Sequence, residues 1–358
     1  MTATMSANTV DTHAEDRVAD ASPAGVSASP RLLSLDAARG LAIVVMLVAM
    51  NPGPTGRPDQ LRHPTWEGLT FVDLFFPLFL FAIGVSMTLS RRGLDARHVV
   101  RRAAVLFALG IALSSLRHEG LWVTGVLQHI AVSYLVAFAV LRAPRRWQLP
   151  LAVGIVGALW AAFVLWAAGS DPWGRTDTLA HAVDGALIGR FSTEGSLQAV
   201  MSSVTVLGGA FAGRLVRTVP DRRVLLRAVV TRAVGLCALG FLLALVVPLN
   251  KRLWSPSFLM LTLGTSFAVL AACMWLADLR GVRRPIAPLV HVGTNPIAIY
   301  VLFMTVLALL RNYGDALTPA FAPVANPTLG YLAYAAGWTA LWWLFAYSLH
   351  RRRIFIRA

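Results

Sequence analysis

Ten runs of mainly apolar residues, each near the length that crosses a lipid bilayer, leave this chain few ways to fold. They lie near 36–52, 69–89, 101–117, 122–141, 149–168, 196–213, 226–248, 257–277, 287–310 and 331–349. A hydrocarbon core of about 30 Å takes about 20 such residues as a helix, and only helices or closed barrels satisfy the backbone there. Proline and glycine punctuate the joints, at Pro52-Gly53-Pro54, Pro144, Pro172, Pro220, Pro256 and Pro285. The expected fold is an all-α polytopic membrane protein of about ten transmembrane helices.

Composition agrees. Of 358 residues, 57% are hydrophobic and 14% charged, against about 45–50% and 25% in soluble domains. The net charge of +15 is carried in short clusters between apolar runs. No basic helix, zinc pattern or aromatic platform accompanies it, which excludes nucleic acid as a partner and leaves lipid. Cys237 and Cys273 both lie inside apolar runs and read as buried small hydrophobes. Residues 1–30 are rich in Ala, Ser, Thr and Asp and lack the apolar core of a signal peptide. They are expected to form a disordered cytoplasmic tail, with 31–358 as one membrane domain.

Arginine placement sets direction. With the tail inside, 23 basic residues face the cytoplasm, eight face outward, and Arg232 lies within a span. The positive-inside rule favours that orientation, and an even number of spans returns both termini to the cytoplasm.

Ionisable groups in lipid-embedded sequence are costly, so each is a functional hypothesis. Several gather near outer helix ends. Asn51 closes the first run, His63 and Trp66 precede the second, and Asp73 lies about one turn into it. An unperturbed imidazole titrates near pH 6.5, which suits His63 to acid/base or nucleophilic chemistry; a solvent-facing loop histidine is the alternative. A carboxylate inside a span needs a partner, and for Asp73 either this imidazole or an arginine from another helix would serve. At the inner edge Asp36 and Arg39 are one turn apart, as a structural pair or with Arg39 free for an anionic ligand. Gln128 and His129 fall mid-span, where they either bond between helices or line a cavity. Asn295 precedes a proline that frees a carbonyl, as in a kink or a broken helix with polar lining. Lys251 is the single lysine among 31 arginines, which suggests a compact ammonium at an outer turn.

The chain has no Walker A sequence, HExxH, GxSxG or paired-cysteine metal motif. That argues against an ATPase, a metalloprotease and a serine hydrolase. A multi-pass small-molecule transporter without chemistry remains an alternative, because polar residues on broken helices also describe ion-coupled carriers.

Taken in order, RLLSLDAARGLAIVVM, MNPG, the H-x-x-W-x-G stretch at His63, Trp66 and Gly68, and DLFFPLFLFAIGVS resemble one family. GVLQHIAVSY, STEGSL, PLNKRLWSPSF and HVGTNPIAIY continue the likeness across about residues 31–350. The family is that of transmembrane acyltransferases typified by heparan-α-glucosaminide N-acetyltransferase. The resemblance implies a multi-pass protein of the bacterial cytoplasmic membrane that moves an acetyl group from cytosolic acetyl-CoA to an outer acceptor, an amino sugar or envelope glycan. It implies His63 as the active-site histidine with Asp73 beside it. Asn51, Gln128, His129, Lys251 and Asn295 would line the passage for the pantetheine arm, and inward arginines such as Arg39 would meet the CoA phosphates. The sequence departs from the family where His129 replaces the usual arginine and Glu67 a common asparagine. A symmetric homodimer is the commonest assembly for such a chain.

Overall fold

The computed structural model describes residues 32–118, 120–310 and 326–356, and the tail expected at 1–30 lies outside them. The described residues contain helices and no strand. In chain order the helices are α1 Leu33–Ala49, α2 Phe75–Leu89, α3 Ala96–His118, α4 Val126–Arg142, α5 Arg145–Ala167 and α6 Leu179–Ile188. They continue with α7 Ser196–Thr218, α8 Arg222–Ala244, α9 Pro256–Cys273, α10 Ala287–Gly293, α11 Pro296–Leu309 and α12 Pro327–Arg351. A 3-10 turn, Phe71–Leu74, leads into α2, and a π-helical turn, Met274–Leu279, extends α9.

Every expected apolar run is helical. Among the described residues six helices are long and apolar enough to cross a membrane, and a seventh span results if α10 and α11, bent by 77° at the break between them, count as one. The remaining runs fold as α1 and α4, each of 17 residues, and α12, of 25. Boundaries follow local chemistry. Asp221 caps α8 by accepting from Arg223 and Val224 N–H groups, and Ser255 caps α9 ahead of Pro256 in the first turn.

Burial separates the helices into an interior and a jacket. The apolar windows of α2 and α7 are 72% buried, whereas that of α5 is 11% buried and those of α3 and α8 are 22% buried. Leu165, Trp166, Phe241, Leu242 and Leu245 project from α5 and the α8 region as exposed apolar groups. A patch of that kind is suited to lipid rather than water. Cys237 and Cys273 are free thiols.

α2 and α7 run parallel with their backbones almost touching. A Cβ on Gly84 would meet Val206 O at 1.8 Å, and one on Gly209 would meet Phe81 O at 1.9 Å. Glycine at both positions is what permits the approach, as small residues do between membrane helices.

The two ends of the bundle differ chemically. At one end arginines brace helix termini: Arg217 donates to Thr88 O at 2.9 Å, and Arg222 pairs with Asp278 at 3.5 Å. At the other end lie the loop before α2, the α8–α9 turn and the start of α7.

Candidate active site

The loop that presents His63 is sewn to the helix it precedes. Gln60 Oε1 accepts from Phe71 N at 3.0 Å, and the Thr70 hydroxyl lies 2.8 Å from Arg62 O. That hydroxyl is also 2.9 Å from Asp73 Oδ2, which accepts from Thr70 N at 3.0 Å in a reciprocal cap. One carboxylate oxygen is thus used to hold the turn.

The other oxygen faces the chemistry. Asp73 Oδ1 is 2.6 Å from His63 Nδ1 and 3.3 Å from Lys251 Nζ. The carboxylate is fully buried, while the His63 side chain is 47% exposed, so a half-exposed imidazole is paired with a buried acid. With Nδ1–H donating to Asp73, the ring's lone pair is on Nε2.

Lys251 reaches this pair from 188 residues away, with Nζ 3.1 Å from Nδ1 and 3.3 Å from Nε2. Its turn is tightly held. Asn250 O accepts from Ser255 N at 3.0 Å, Asn250 Oδ1 accepts from Leu253 N at 3.0 Å, and the Ser255 hydroxyl donates to Pro248 O at 2.8 Å. These bonds hold Trp254 at φ 53°, a left-handed conformation that costs about 1–2 kcal/mol outside glycine. Gly68 N donates to Leu249 O at 2.8 Å, which joins the two loops directly. Gln198 Nε2, at the start of α7, donates to Arg252 O at 2.9 Å. Burial pushes the Lys251 ammonium below the ordinary lysine value, opposed by the carboxylates of Asp73 and Glu194.

Beneath the site Phe76, His129 and Trp254 pack ring against ring, with centroids 5.2 to 5.7 Å apart. His129 Nε2 lies 2.7 Å from the Ser202 hydroxyl, which is 2.6 Å from that of Ser133, so the imidazole bridges α4 and α7. Gln128 Nε2 approaches the Ser114 hydroxyl at 3.5 Å. Gln128 Oε1, His129 Nδ1 and Trp254 Nε1 are buried with no hydrogen-bonding partner among the described residues. Nearly all buried polar groups in folded proteins are satisfied, so each of these three atoms calls for an explanation.

The other expected residues lie elsewhere. Asn51 is spent on its own turn, donating to Val48 O at 2.7 Å and accepting from Gly53 N at 2.9 Å. Asn295 clamps the C-terminal segment, donating to Ile354 O at 2.9 Å and accepting from Ile356 N at 2.8 Å. Arg39 is at the opposite end of α1, paired with Asp36 at 3.1 Å and bonded to Ser86. Near it Arg102 stands over the Tyr134 ring at 5.4 Å, with a buried Nε that has no partner among the described residues.

Two contributors are not evident from the sequence: Thr70 locks Asp73, and Trp254 packs in the interior beneath it. Their one signal is composition, a threonine three residues before an in-span aspartate and a tryptophan beside polar loop residues. Trp66, of the H-x-x-W-x-G stretch, anchors the loop by donating from Nε1 to Trp173 O at 2.8 Å. Among the described residues no group of three metal-ligating side chains occurs.

Comparison with known proteins points the same way. The family profile described as "Acyltransferase domain" matches residues 104–347, and that described as "Heparan-alpha-glucosaminide N-acetyltransferase, catalytic" matches 31–168. Heparan-alpha-glucosaminide N-acetyltransferase of Mus musculus is 24% identical over 410 aligned positions, covering 92% of this chain and 61% of that protein. The Homo sapiens protein of the same name is 25% identical over 411, covering 91% and 60%. The chain thus spans about three fifths of the length of these relatives.

Proposed function

This chain belongs to the membrane acyltransferase family in which the heparan-α-glucosaminide N-acetyltransferases fall, and from that premise we propose that it passes an acetyl group from cytosolic acetyl-CoA to an extracytoplasmic amino sugar or envelope glycan through His63. The observation that carries this reading is the buried Asp73 carboxylate holding both His63 and Lys251.

The lone pair on His63 Nε2 performs the transfer, and Asp73 keeps it available by fixing the tautomer and stabilising the imidazolium. In the covalent order, Nε2 attacks the thioester carbonyl, the C–S bond breaks, and the thiolate takes a proton from the Lys251 ammonium. The acceptor's amine or hydroxyl then attacks the acetyl-imidazole and yields its proton to the Lys251 amine, which restores the site. In the ternary order the same Nε2 removes the acceptor's proton as the acceptor attacks the thioester directly, the C–S bond breaks, and the leaving thiolate takes that proton from the imidazolium. A lysine whose ammonium is weakened by burial is suited to such a relay.

In this reading all ten apolar runs are spans and both termini are cytoplasmic, so the arginine-braced end faces the donor and the His63 end faces outward. Gln128, His129 and Trp254 line the route between them, and their orphaned polar atoms suit the amides of a pantetheine arm. Arg39 and Arg102 stand at the inner mouth, where CoA supplies phosphates.

Proteoliposomes loaded with acetyl-CoA and bathed in glucosamine test the direction as well as the chemistry. N-acetylglucosamine should appear outside while free thiol accumulates inside. Passage of unmodified labelled glucosamine with no thiol release would instead mark a carrier.

Replacing Asp73 by asparagine keeps the size of the side chain but removes the charge that orients His63. Transfer should fall by about 10²–10⁴-fold, with a monodisperse elution profile retained because Thr70 N still finds an oxygen. Wild-type rates in this variant would remove Asp73 from the mechanism.

A further inference from the structure

In the loop that precedes His63, Gly53, Pro54, Thr55, Gly56, Arg57 and Arg62 line an open cavity of about 310 Å³. The lining holds two guanidinium groups and no carboxylate; Asp59 sits exposed on the neighbouring turn and is not part of it. Among the described residues, neither arginine forms an ion pair.

The Arg57 side chain is held in place, and Arg62 is fixed through its backbone with an exposed side chain. Arg57 stands over the Tyr331 ring at 5.7 Å, and Tyr331 is fixed by donating its hydroxyl to Val48 O at 2.8 Å. An aromatic ring engages the flat face of a guanidinium and leaves its N–H edge for a planar anion. Arg62 is anchored through its carbonyl to Thr70. It is the residue next to His63 in the chain, with Cα atoms about 3.8 Å apart. Two like charges sharing one concavity, with no ion-paired partner among the described residues, raise the local concentration of anions.

We infer that this cradle binds an anionic substituent, a phosphate, sulfate or carboxylate, on the molecule whose amine or hydroxyl meets His63. The inference rests on the acyl-transfer reading for what then happens at His63, but the binding itself does not.

Glucosamine and glucosamine 6-phosphate are the probes, titrated by calorimetry into the full chain in neutral detergent. The phosphate ester should bind about tenfold more tightly, a gap of about 1.4 kcal/mol. That ratio should shrink when salt is raised from about 0.1 M to about 1 M, as the screening length falls from about 10 Å to about 3 Å. The double substitution Arg57→Gln with Arg62→Gln should bring the ratio near one, and the corresponding Arg→Lys pair should keep part of it. Equal affinity of the unaltered chain for both probes overturns the proposal whatever the variants do. A ratio unchanged by the glutamine pair overturns its assignment to these residues. If phosphatidylglycerol in the micelles displaces the sugar phosphate competitively, the cradle's anion is a lipid headgroup. If the preference is found and proteoliposomes show no acetyl transfer, the cradle stands and the acyl-transfer reading falls.

Discussion

Substitution of His63 by alanine is expected to lower acetyl transfer by at least about 10²-fold, the smallest loss usual for a general base, and to abolish it if the imidazole carries the acetyl group. The protein should remain folded. His63 is half exposed, and its loop is held by Gln60, Thr70 and Gly68 rather than by the imidazole. Initial rates of thiol release, measured beside thermal midpoints, separate the two effects. Acid quenching with radiolabelled acetyl-CoA also distinguishes the orders of reaction, since only the covalent order leaves label on the protein, and His63→Ala should remove it. Normal transfer by the alanine variant would end the assignment of His63.

The second large effect concerns the frame. Gly209→Val would drive a branched side chain into the Phe81 carbonyl, where even a Cβ arrives at 1.9 Å. Backbone cannot give way as a flexible side chain can, so α2 and α7 must part. Overpacking a well-fitted core costs about 1–3 kcal/mol, occasionally more, and here the helix that begins at Asp73 would shift with it. Folded, monodisperse protein should be largely lost. Gly235→Ala is the control: it lies on exposed α8 with nothing within 4 Å of an added Cβ, and alanine favours helix over glycine by about 1 kcal/mol. A well-behaved Gly209→Val protein would show that the close contact of α2 and α7 is not needed.

Helix positions were legible from the chain because a bilayer length of apolar residues has one economical conformation, and each run is helical. That Asp73 needs a partner is also legible, since it lies one turn into a span. The sequence leaves the imidazole of His63, ten residues away, and an arginine from another helix both open, and the fold brings the imidazole. Lys251 was harder. Its rarity among arginines singled it out, but nothing local predicts that the α8–α9 turn folds over a loop 188 residues earlier. It was expected along the passage and is instead in contact with the imidazole. The two asparagines show the opposite difficulty. Asn51 stands in Asn-Pro-Gly and Asn295 in Thr-Asn-Pro, and asparagine in such settings bonds backbone by habit. Both do so here, Asn51 locally and Asn295 across 59 residues to Ile354. Arg57 and Arg62 carry no signal beyond charge, because the ring that holds the Arg57 guanidinium, Tyr331, arrives from α12.

The bond from Gly68 to Leu249 bears on traffic through the protein. It fastens together the two loops that carry His63 and Lys251, so parting them would break that bond and the contact of Lys251 with Asp73 at once. On the proposed function, His63 and Lys251 would keep their spacing through turnover, as a fixed post between two approaches. Acceptors would come to it along the arginine rim and acyl groups from below past His129, and neither would have to prise the post apart.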